Sequence, residues 1–583
     1  MATPEHFDAV VIGSGFGGSV SAFRLAEAGK QVCVLERGQA HQPGTFPRAP
    51  HLVKANFWDP SAGLYGMYNV WFFRHVGALV SSALGGGSQI YASVLLRKDE
   101  RWFVHEDLAN GGYEDWPLGR ADLDPHYDNV EKIMTPQTFP SGREPYDHVE
   151  KINAFRIAAE RVAARTPGTT VLRTPIAVTF HNAGRDPVPG QVIDEPVPNR
   201  YGFVRRTCVM CGDCVVGCNY GSKNTLDLTY LSRAEATQRA VIRTQCEVRT
   251  FKPRSSGGYE VTYVVHDVAA RRGVPFDTDT LEPVTITCDR LVLAAGTMGS
   301  TYLLLKNAAK LKNLSRANVG TRFSGNGDLL SFALMSTRRV DERVEPWRVD
   351  PTCGPTITHA MRRDDALDTG NAADGRGFYL EDAGFPSQIA WLVEGLNTPG
   401  WFGRVVRFAR RYVGKVFGRD LDTDLASELS DLLGPMSFSS QSMPLLGMGR
   451  DVPDGNFTLE PERQRLQLDW VKNRSASYFD GLTDAARELA TELGAKFMVN
   501  PVAQLFERAV TVHPLGGCPM GRDRSTGVVD SHGRVFGHPG FVILDGAVMP
   551  GPVGPNPAFT IAAVADRAAE QLAAWTPGAA WPV

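Results

Sequence analysis

At 583 residues the chain is longer than a single hydrophobic core usually supports, so two or more domains are expected. Its 61 lysines and arginines stand against 64 acids, a formal charge of -3, and this near balance leaves no basic field for nucleic acid. The 43% hydrophobic content contains no run of about 18 apolar residues to span a membrane and no leader-like segment before the first strand, so a cytoplasmic enzyme is expected.

The first element runs from Asp8 to Gly38. Ala9 to Ile12 read as a buried parallel strand, Gly13, Gly15 and Gly18 make G-x-G-x-x-G with Phe16 between them, and a helical pattern extends to about Ala28. A second apolar run, Val32 to Leu35, ends at Glu36. Gly13 permits a tight turn, Gly15 lets backbone approach a pyrophosphate, Gly18 lets helix and strand pack, and Glu36 is placed to accept ribose hydroxyls. Strand, glycines, helix, strand and acid in this order predict a dinucleotide site.

Residues 39–80 are irregular and aromatic-rich. Gly85, Gly86 and Gly87, followed by Ser88, then predict a loop whose backbone and exposed N–H groups serve a flat ligand or phosphate. Helical stretches such as Glu150 to Ala164 follow, then a cysteine cluster, then a helical reading for Leu231 to Val241. Residues 242–292 alternate as strands around a turn at Ser256 to Gly258. Arg290 to Lys306 repeats strand, glycine turn and helix, which adds Ala295 and Gly296 to the candidate cofactor set.

Between Thr398 and Asp420, apolar residues recur three to four apart beside four basic ones. Such a helix packs on its own domain, covers a greasy pocket, or touches a membrane surface. Near the C-terminus come a strand at Phe541 to Leu544, then Asp545 and Gly546, then a helix starting near Pro557, and a loose tail from about Trp575. Cofactor elements at both ends and in the middle imply interwoven domains. The expected division is 1–110, 205–330 and 505–575 for the cofactor and 111–204 and 331–504 for the substrate, with the cysteine loop 205–224 at the boundary.

Three groups of residues carry candidate chemistry. His513, held before Pro514 and two glycines, can take a hydroxyl proton near neutral pH. Asn556, between Pro555 and Pro557, reads on its own residues mainly as the cap of the last helix. Cys208, Cys211, Cys214 and Cys218 form C-x2-C-x2-C-x3-C, the ferredoxin-type spacing without its trailing proline. Four such thiolates suit one [4Fe–4S] cluster; zinc or a metal-free tight loop are the alternatives.

The stretches GSGFGG with Glu36, LGGGSQIYASV, LAAGTMGS, VGTRFSGNGD, HPLGGCPMG and DGAVMPGPVGPNPAFTIAAVADR span nearly the whole chain. Together they resemble the glucose-methanol-choline (GMC) oxidoreductase family, in the branch similar to bacterial cholesterol oxidases. The resemblance implies an α/β fold (α+β overall), with a Rossmann-like FAD-binding domain interwoven with a mixed-sheet substrate-binding domain. It implies FAD rather than NAD, held by the residues named above together with Asp545, Gly546, Asn556 and Pro557. It also implies hydride transfer from an alcohol carbon to the flavin N5, with His513 handling the hydroxyl proton and Asn556 as its partner.

In that branch a glutamate moves a proton from C4 to C6, and Glu381, or else Asp382, stands near the matching position. The implied substrate is a bulky lipid alcohol such as a 3β-hydroxysteroid, and oxygen or an electron carrier is the acceptor. The cysteines depart from the best-known oxidases, and a flavin beside a cluster would pass electrons singly to a carrier. The rival readings are an iron–sulfur-linked dehydrogenase of a non-steroid alcohol, a non-redox flavoprotein lyase and a non-catalytic flavin carrier.

Overall fold

The computed structural model describes residues 4–395, 406, 409–410, 437–500, 509–579 and 581. The apolar opening strand forms as Glu5–Ile12 and lies at the centre of a seven-stranded sheet. Val32–Leu35 and then Ala240–Arg243 flank it on one side, all parallel. On its other side runs the eleven-residue strand Pro283–Leu293, also parallel. The first half of that strand continues antiparallel into Tyr259–Val265 and Cys246–Pro253, while Leu291 to Leu293 pair in parallel with Phe541–Ile543. The last helix therefore follows a strand one removed from the first, with Pro283–Leu293 between them, which joins the two ends of the sequence in one sheet.

The helix Phe16–Glu27 is buried along most of its length because it lies between this sheet and the last helix, Ala558–Ala574. Small residues make that closeness feasible: a Cβ on Gly17 would stand 1.4 Å from the Leu544 carbonyl oxygen. Burial of Val10, Val11, Val34, Leu291, Val292 and Ile543 puts the core of this half directly beneath the glycine turns.

A second sheet of six strands runs in the order Lys496–Val499, Leu329–Leu334, Met443–Gly449, Phe378–Asp382, His359–Arg363 and Thr169–Arg173, each neighbour antiparallel. The helices Glu150–Arg165 and Ala476–Glu492 pack on it. In the latter, Tyr478, Leu482, Ala485 and Leu489 recur at helical spacing and are buried. The architecture is the expected one, mixed α/β, with an N-terminal dinucleotide-type sheet and a separate substrate-side sheet.

Two local expectations are corrected. Leu231 to Val241 is not one helix: a π-turn at Asp227–Leu231 and a short helix Ser232–Ala236 end at Gln238 (φ +59°), and Val241 lies in an edge strand. The β-branched pair Val241 and Ile242 finds a parallel partner beside Val32–Leu35, and that pairing outweighs the local helical pattern. Nor are the described residues of the tail, 575–579 and 581, loose. The Trp575 and Trp581 rings lie 5.2 Å apart, and the Trp581 indole donates to the His538 carbonyl at 3.1 Å.

Among the described residues, no helix is long and apolar enough to cross a membrane. Apart from Val406, Ala409 and Arg410, the amphipathic stretch 398–420 lies outside the described residues.

Candidate active site

The opening glycines do the separate jobs their positions require. Gly13 has φ +96°, and a Cβ there would lie 2.3 Å from the Ala294 carbonyl oxygen. One on Gly18 would lie 2.0 Å from the Gly13 oxygen, so this glycine is needed for helix–turn packing. Gly15 has no atom within 4 Å of its Cβ position and faces open space. Glu36 is buried at the end of its strand, where it accepts from the Ser14 amide at 3.0 Å, the Ser14 hydroxyl at 2.6 Å and the Gly38 amide at 2.8 Å.

The triple-glycine loop packs straight onto this turn. A Cβ on Gly86 would stand 2.6 Å from the Gly15 Cα, and the Gly85 amide donates to Ser14 Oγ at 3.0 Å. The expectation of exposed N–H groups here is corrected for three amides, because those of Gly85, Gly86 and Ser88 are spent on Ser14, Ala83 and Gly85. The Ser88 hydroxyl is spent too: it donates to the Gly85 carbonyl and accepts from the Leu226 amide. Gly87, like Gly15, has nothing within 4 Å of its Cβ position. A flat ligand thus meets bare backbone at Gly15 and Gly87, which is a cradle that side chains would fill.

The other ends of the same sheet close the floor. Asp545 accepts from the Gly296 amide and the Ala547 amide, each at 2.8 Å, and from the Ser300 hydroxyl. Ser300 in turn accepts from the Ala295 amide at 3.0 Å. Burial pushes the Asp545 carboxyl up to about 6 against these bonds. Gly546 opens the next turn, Gly546–Val548, where a Cβ would press 2.9 Å from Thr297 Oγ1.

His513 follows the short strand Ala509–Thr511 and is partly exposed. Its Nδ1 lies 2.8 Å from Asp328, whose second oxygen accepts from the amides of Val512 and His513 and from the Thr511 hydroxyl. A carboxylate at Nδ1 requires that nitrogen to carry the proton, so Nε2 is left as the acceptor.

Asp328 was not among the sequence candidates. The signal was present in G-N-G-D: Asn326 and Gly327 both take positive φ, and Asn326 exchanges bonds with Gly554 and Pro555. This loop therefore joins the His513 segment to the one that carries Asn556. Lys98, also unanticipated, donates to the Pro552 and Val553 carbonyls at 2.8 and 2.9 Å and fixes the same segment from below.

Asn556 is not the helix cap. The last helix begins at Ala558 with Pro557 as its N-cap and no side-chain cap, because the Asn556 amide instead donates to Glu381 Oε2 at 3.3 Å. Glu381 sits on the strand Phe378–Asp382, fully buried, and burial raises its carboxyl well above the usual range while the Asn556 bond opposes the rise. Glu381 Oε1 and Asn556 Oδ1 are both buried without a partner, so the pair presents one unused oxygen each. Asp382, the alternative, is engaged elsewhere: it accepts from the Thr358 and His359 amides at 2.7 Å and pairs with Lys151 at 3.2 Å.

Cys208, Cys211, Cys214 and Cys218 line one small cavity together with Lys223 and Gly354. All four are free thiols. Among the described residues, no three of their sulfurs lie within 4.8 Å of one another; the only cluster that meets this limit is the acidic group Glu144, Asp147 and His148.

The bare backbone at Gly15 and Gly87 fits a flat, phosphate-bearing ligand such as a flavin nucleotide. The comparisons agree. A family model described as FAD binding domain matches residues 8–46, and one described as GMC oxidoreductase matches 467–565. A cholesterol oxidase of Mycobacterium tuberculosis is 30% identical, over 97% of this chain and 90% of its own length. One from Acinetobacter baumannii is 27% identical, over 97% and 94%. The solved structure of Aspergillus oryzae formate oxidase superposes with a TM-score of 0.55 at 13% identity, over 98% of this chain and 99% of that one, a likeness of fold.

Proposed function

The chain belongs to the GMC oxidoreductase family and is an FAD-dependent enzyme acting on CH–OH groups; from that premise we propose that its substrate is a bulky lipid alcohol, specifically a 3β-hydroxysteroid. The full-length likeness to two cholesterol oxidases supports the substrate class. The observation that carries the chemistry is the 2.8 Å contact between His513 Nδ1 and Asp328, which leaves Nε2 free to accept a proton.

The stretches that carry Gly13, Gly15, Phe16, Gly18, Glu36, Gly85, Gly86, Gly87, Ser88, Ala295, Gly296, Asp545, Gly546 and Pro557 would hold FAD, which would supply a two-electron hydride acceptor. In this reading the unit built from 1–110, 205–330 and 505–575 binds it, and 111–204 with 331–504 forms the substrate side. His513 Nε2 takes the hydroxyl proton as the carbinol carbon loses its hydride. Asp328 holds the imidazole in the required tautomer and stabilises the positive charge that develops. Asn556 positions the alcohol oxygen. Glu381 Oε1, unpartnered and beside Asn556, serves the Δ5 to Δ4 isomerisation by moving a proton from C4 to C6, a step that needs the carboxylate form.

The acceptor is oxygen or a one-electron carrier, and the carrier reading is favoured by the four-cysteine cavity, which we take as a [4Fe–4S] ligand set. The stretch 398–420 remains the proposed membrane-facing segment of a cytoplasmic protein, the route by which a lipid alcohol arrives. Anaerobic titration with a 3β-hydroxysteroid tests the assignment. Bleaching of the flavin with prompt recovery in air supports a sterol oxidase, and bleaching without recovery supports the carrier-linked enzyme. No bleaching overturns the steroid substrate.

A further inference from the structure

We propose that Lys223 is a positioning cation that couples the cysteine cavity to the flavin loop and sets the potential of a [4Fe–4S] cluster bound by Cys208, Cys211, Cys214 and Cys218. The proposal rests on the cluster reading above and adds to it a charge, a connection and a direction of electron flow.

Lys223 Nζ donates to three carbonyl oxygens: Gln89 at 3.1 Å, Tyr91 at 3.0 Å and Cys214 at 2.7 Å. Three acceptors and no donor require three N–H bonds, so the group is an ammonium. It is 1% exposed, and among the described residues no carboxylate lies within 4.0 Å of it. Asp227 acts on it from beyond contact distance, and a buried cation with no ion pair in contact is still costly, so an anionic centre beside it offsets that cost. Four thiolates around an oxidised [4Fe–4S] core carry two net negative charges, and the cavity they line also contains Lys223.

The backbone of the cysteine loop is arranged for sulfur anions as well. The Met210 amide donates to Cys208 Sγ at 3.4 Å, while the Asp213 and Thr356 amides point at Cys211 and Cys214. Met210 and Gly212 adopt positive φ to turn these groups inward. A single zinc ion with Zn–S bonds of about 2.3 Å would draw its sulfurs to about 3.8 Å apart. No three of these sulfurs come within 4.8 Å, a spacing too wide for a single zinc ion as the side chains stand.

Lys223 also completes a contact path to the flavin turn. Its Nζ lies 4.9 Å from the Tyr91 ring centroid, and that ring meets Phe16 of the G-x-G-F-G-G turn edge-on at 5.5 Å. One alcohol oxidised to a ketone releases two electrons and two protons. In this account a bound flavin would take both electrons with the hydride, a bound cluster would pass them on singly, and two molecules of an external one-electron carrier would be reduced. The hydroxyl proton leaves through His513, and the proton carried by the hydride would be released to solvent as the flavin is reoxidised.

The test is made on holoenzyme purified without air, by assay of iron, acid-labile sulfide and FAD and by an EPR-monitored redox titration. The wild type is expected to hold four irons and four sulfides per chain. Lys223→Met is expected to keep FAD and iron, with the reduced-to-oxidised ratio of the cluster at the wild-type midpoint falling about tenfold, equivalent to about 59 mV for one electron. Should Lys223→Met lose iron, Lys223→Arg carries the test, with iron retained and a potential near the wild type. Iron retained with an unshifted potential in Lys223→Met overturns the role of Lys223 and leaves the cluster reading standing. Wild-type enzyme without iron or sulfide overturns both, and a Cys214→Ser variant that keeps a full complement of iron removes Cys214 from the ligand set.

Discussion

The side-chain amide of Asn556 reaches the Glu381 carboxyl at 3.3 Å, linking the segment before the last helix to the central strand of the second sheet. Each residue keeps one oxygen buried and unpartnered. A strand residue of the second sheet and a residue of the segment before the last helix thus converge on one point, and that convergence separates the two halves of the proposed reaction.

Glu381→Gln is expected to leave alcohol oxidation within about tenfold of the wild type and to reduce isomerisation by about 100-fold or more. With a Δ5-3β-hydroxysteroid, the unconjugated 5-en-3-one accumulates, and the absorbance of the conjugated product measures its absence. Equal loss of both steps would contradict a proton-moving role confined to isomerisation. Burial holds the Glu381 carboxyl high, so the wild-type isomerisation rate rises with pH as the carboxylate form is populated.

Asp328→Asn puts an amide where Nδ1–H of His513 needs an acceptor. Flavin reduction should fall by about 100- to 10,000-fold with FAD still bound, because the imidazole loses both its tautomer and its counter-charge. Stopped-flow reduction with excess alcohol measures it, and an unchanged rate would remove Asp328 from the site.

Gly86→Ala and Gly87→Ala should behave oppositely. The first places a methyl 2.6 Å from the Gly15 backbone at a positive φ, so thermal stability should fall by about 1–3 kcal/mol. The second meets open space, so the fold should change by less than about 0.5 kcal/mol while FAD affinity weakens. Thermal unfolding with parallel flavin release separates the two.

Asp451, fully buried, accepts from the Ser324 hydroxyl and the Gly325 amide in the loop that carries Asp328, and burial raises its carboxyl from 3.8 to about 7. A carboxyl with a raised folded pKa contributes stability that is complete below about 3.8 and is lost as pH rises through about 7. Thermal midpoints of Asp451→Asn should therefore fall less steeply between about pH 4 and 7 than those of the wild type. Parallel curves would contradict the shift.

Much of this was legible in the sequence because glycines and short apolar runs have strict local requirements. The turn at Gly13, the strand at Val32–Leu35 and the strand–turn–helix through Gly296 follow from spacing alone. Asp328 was not, because G-N-G-D announces a tight turn but its role depends on a segment 185 residues away. Asn556 misled for a related reason. A polar residue before a helix reads as a cap until a partner from another sheet, here Glu381, claims its amide. Val241 was misjudged because its sheet partner, Cys33, lies more than 200 positions away.

The most direct test of the account is the single-turnover rate of flavin reduction in His513→Ala, measured without air with the alcohol that bleaches the wild-type flavin. The account predicts a fall of at least about 100-fold with FAD content unchanged. A rate equal to the wild type would contradict His513 Nε2 as the proton acceptor and, with it, the reading of the His513–Asp328 pair.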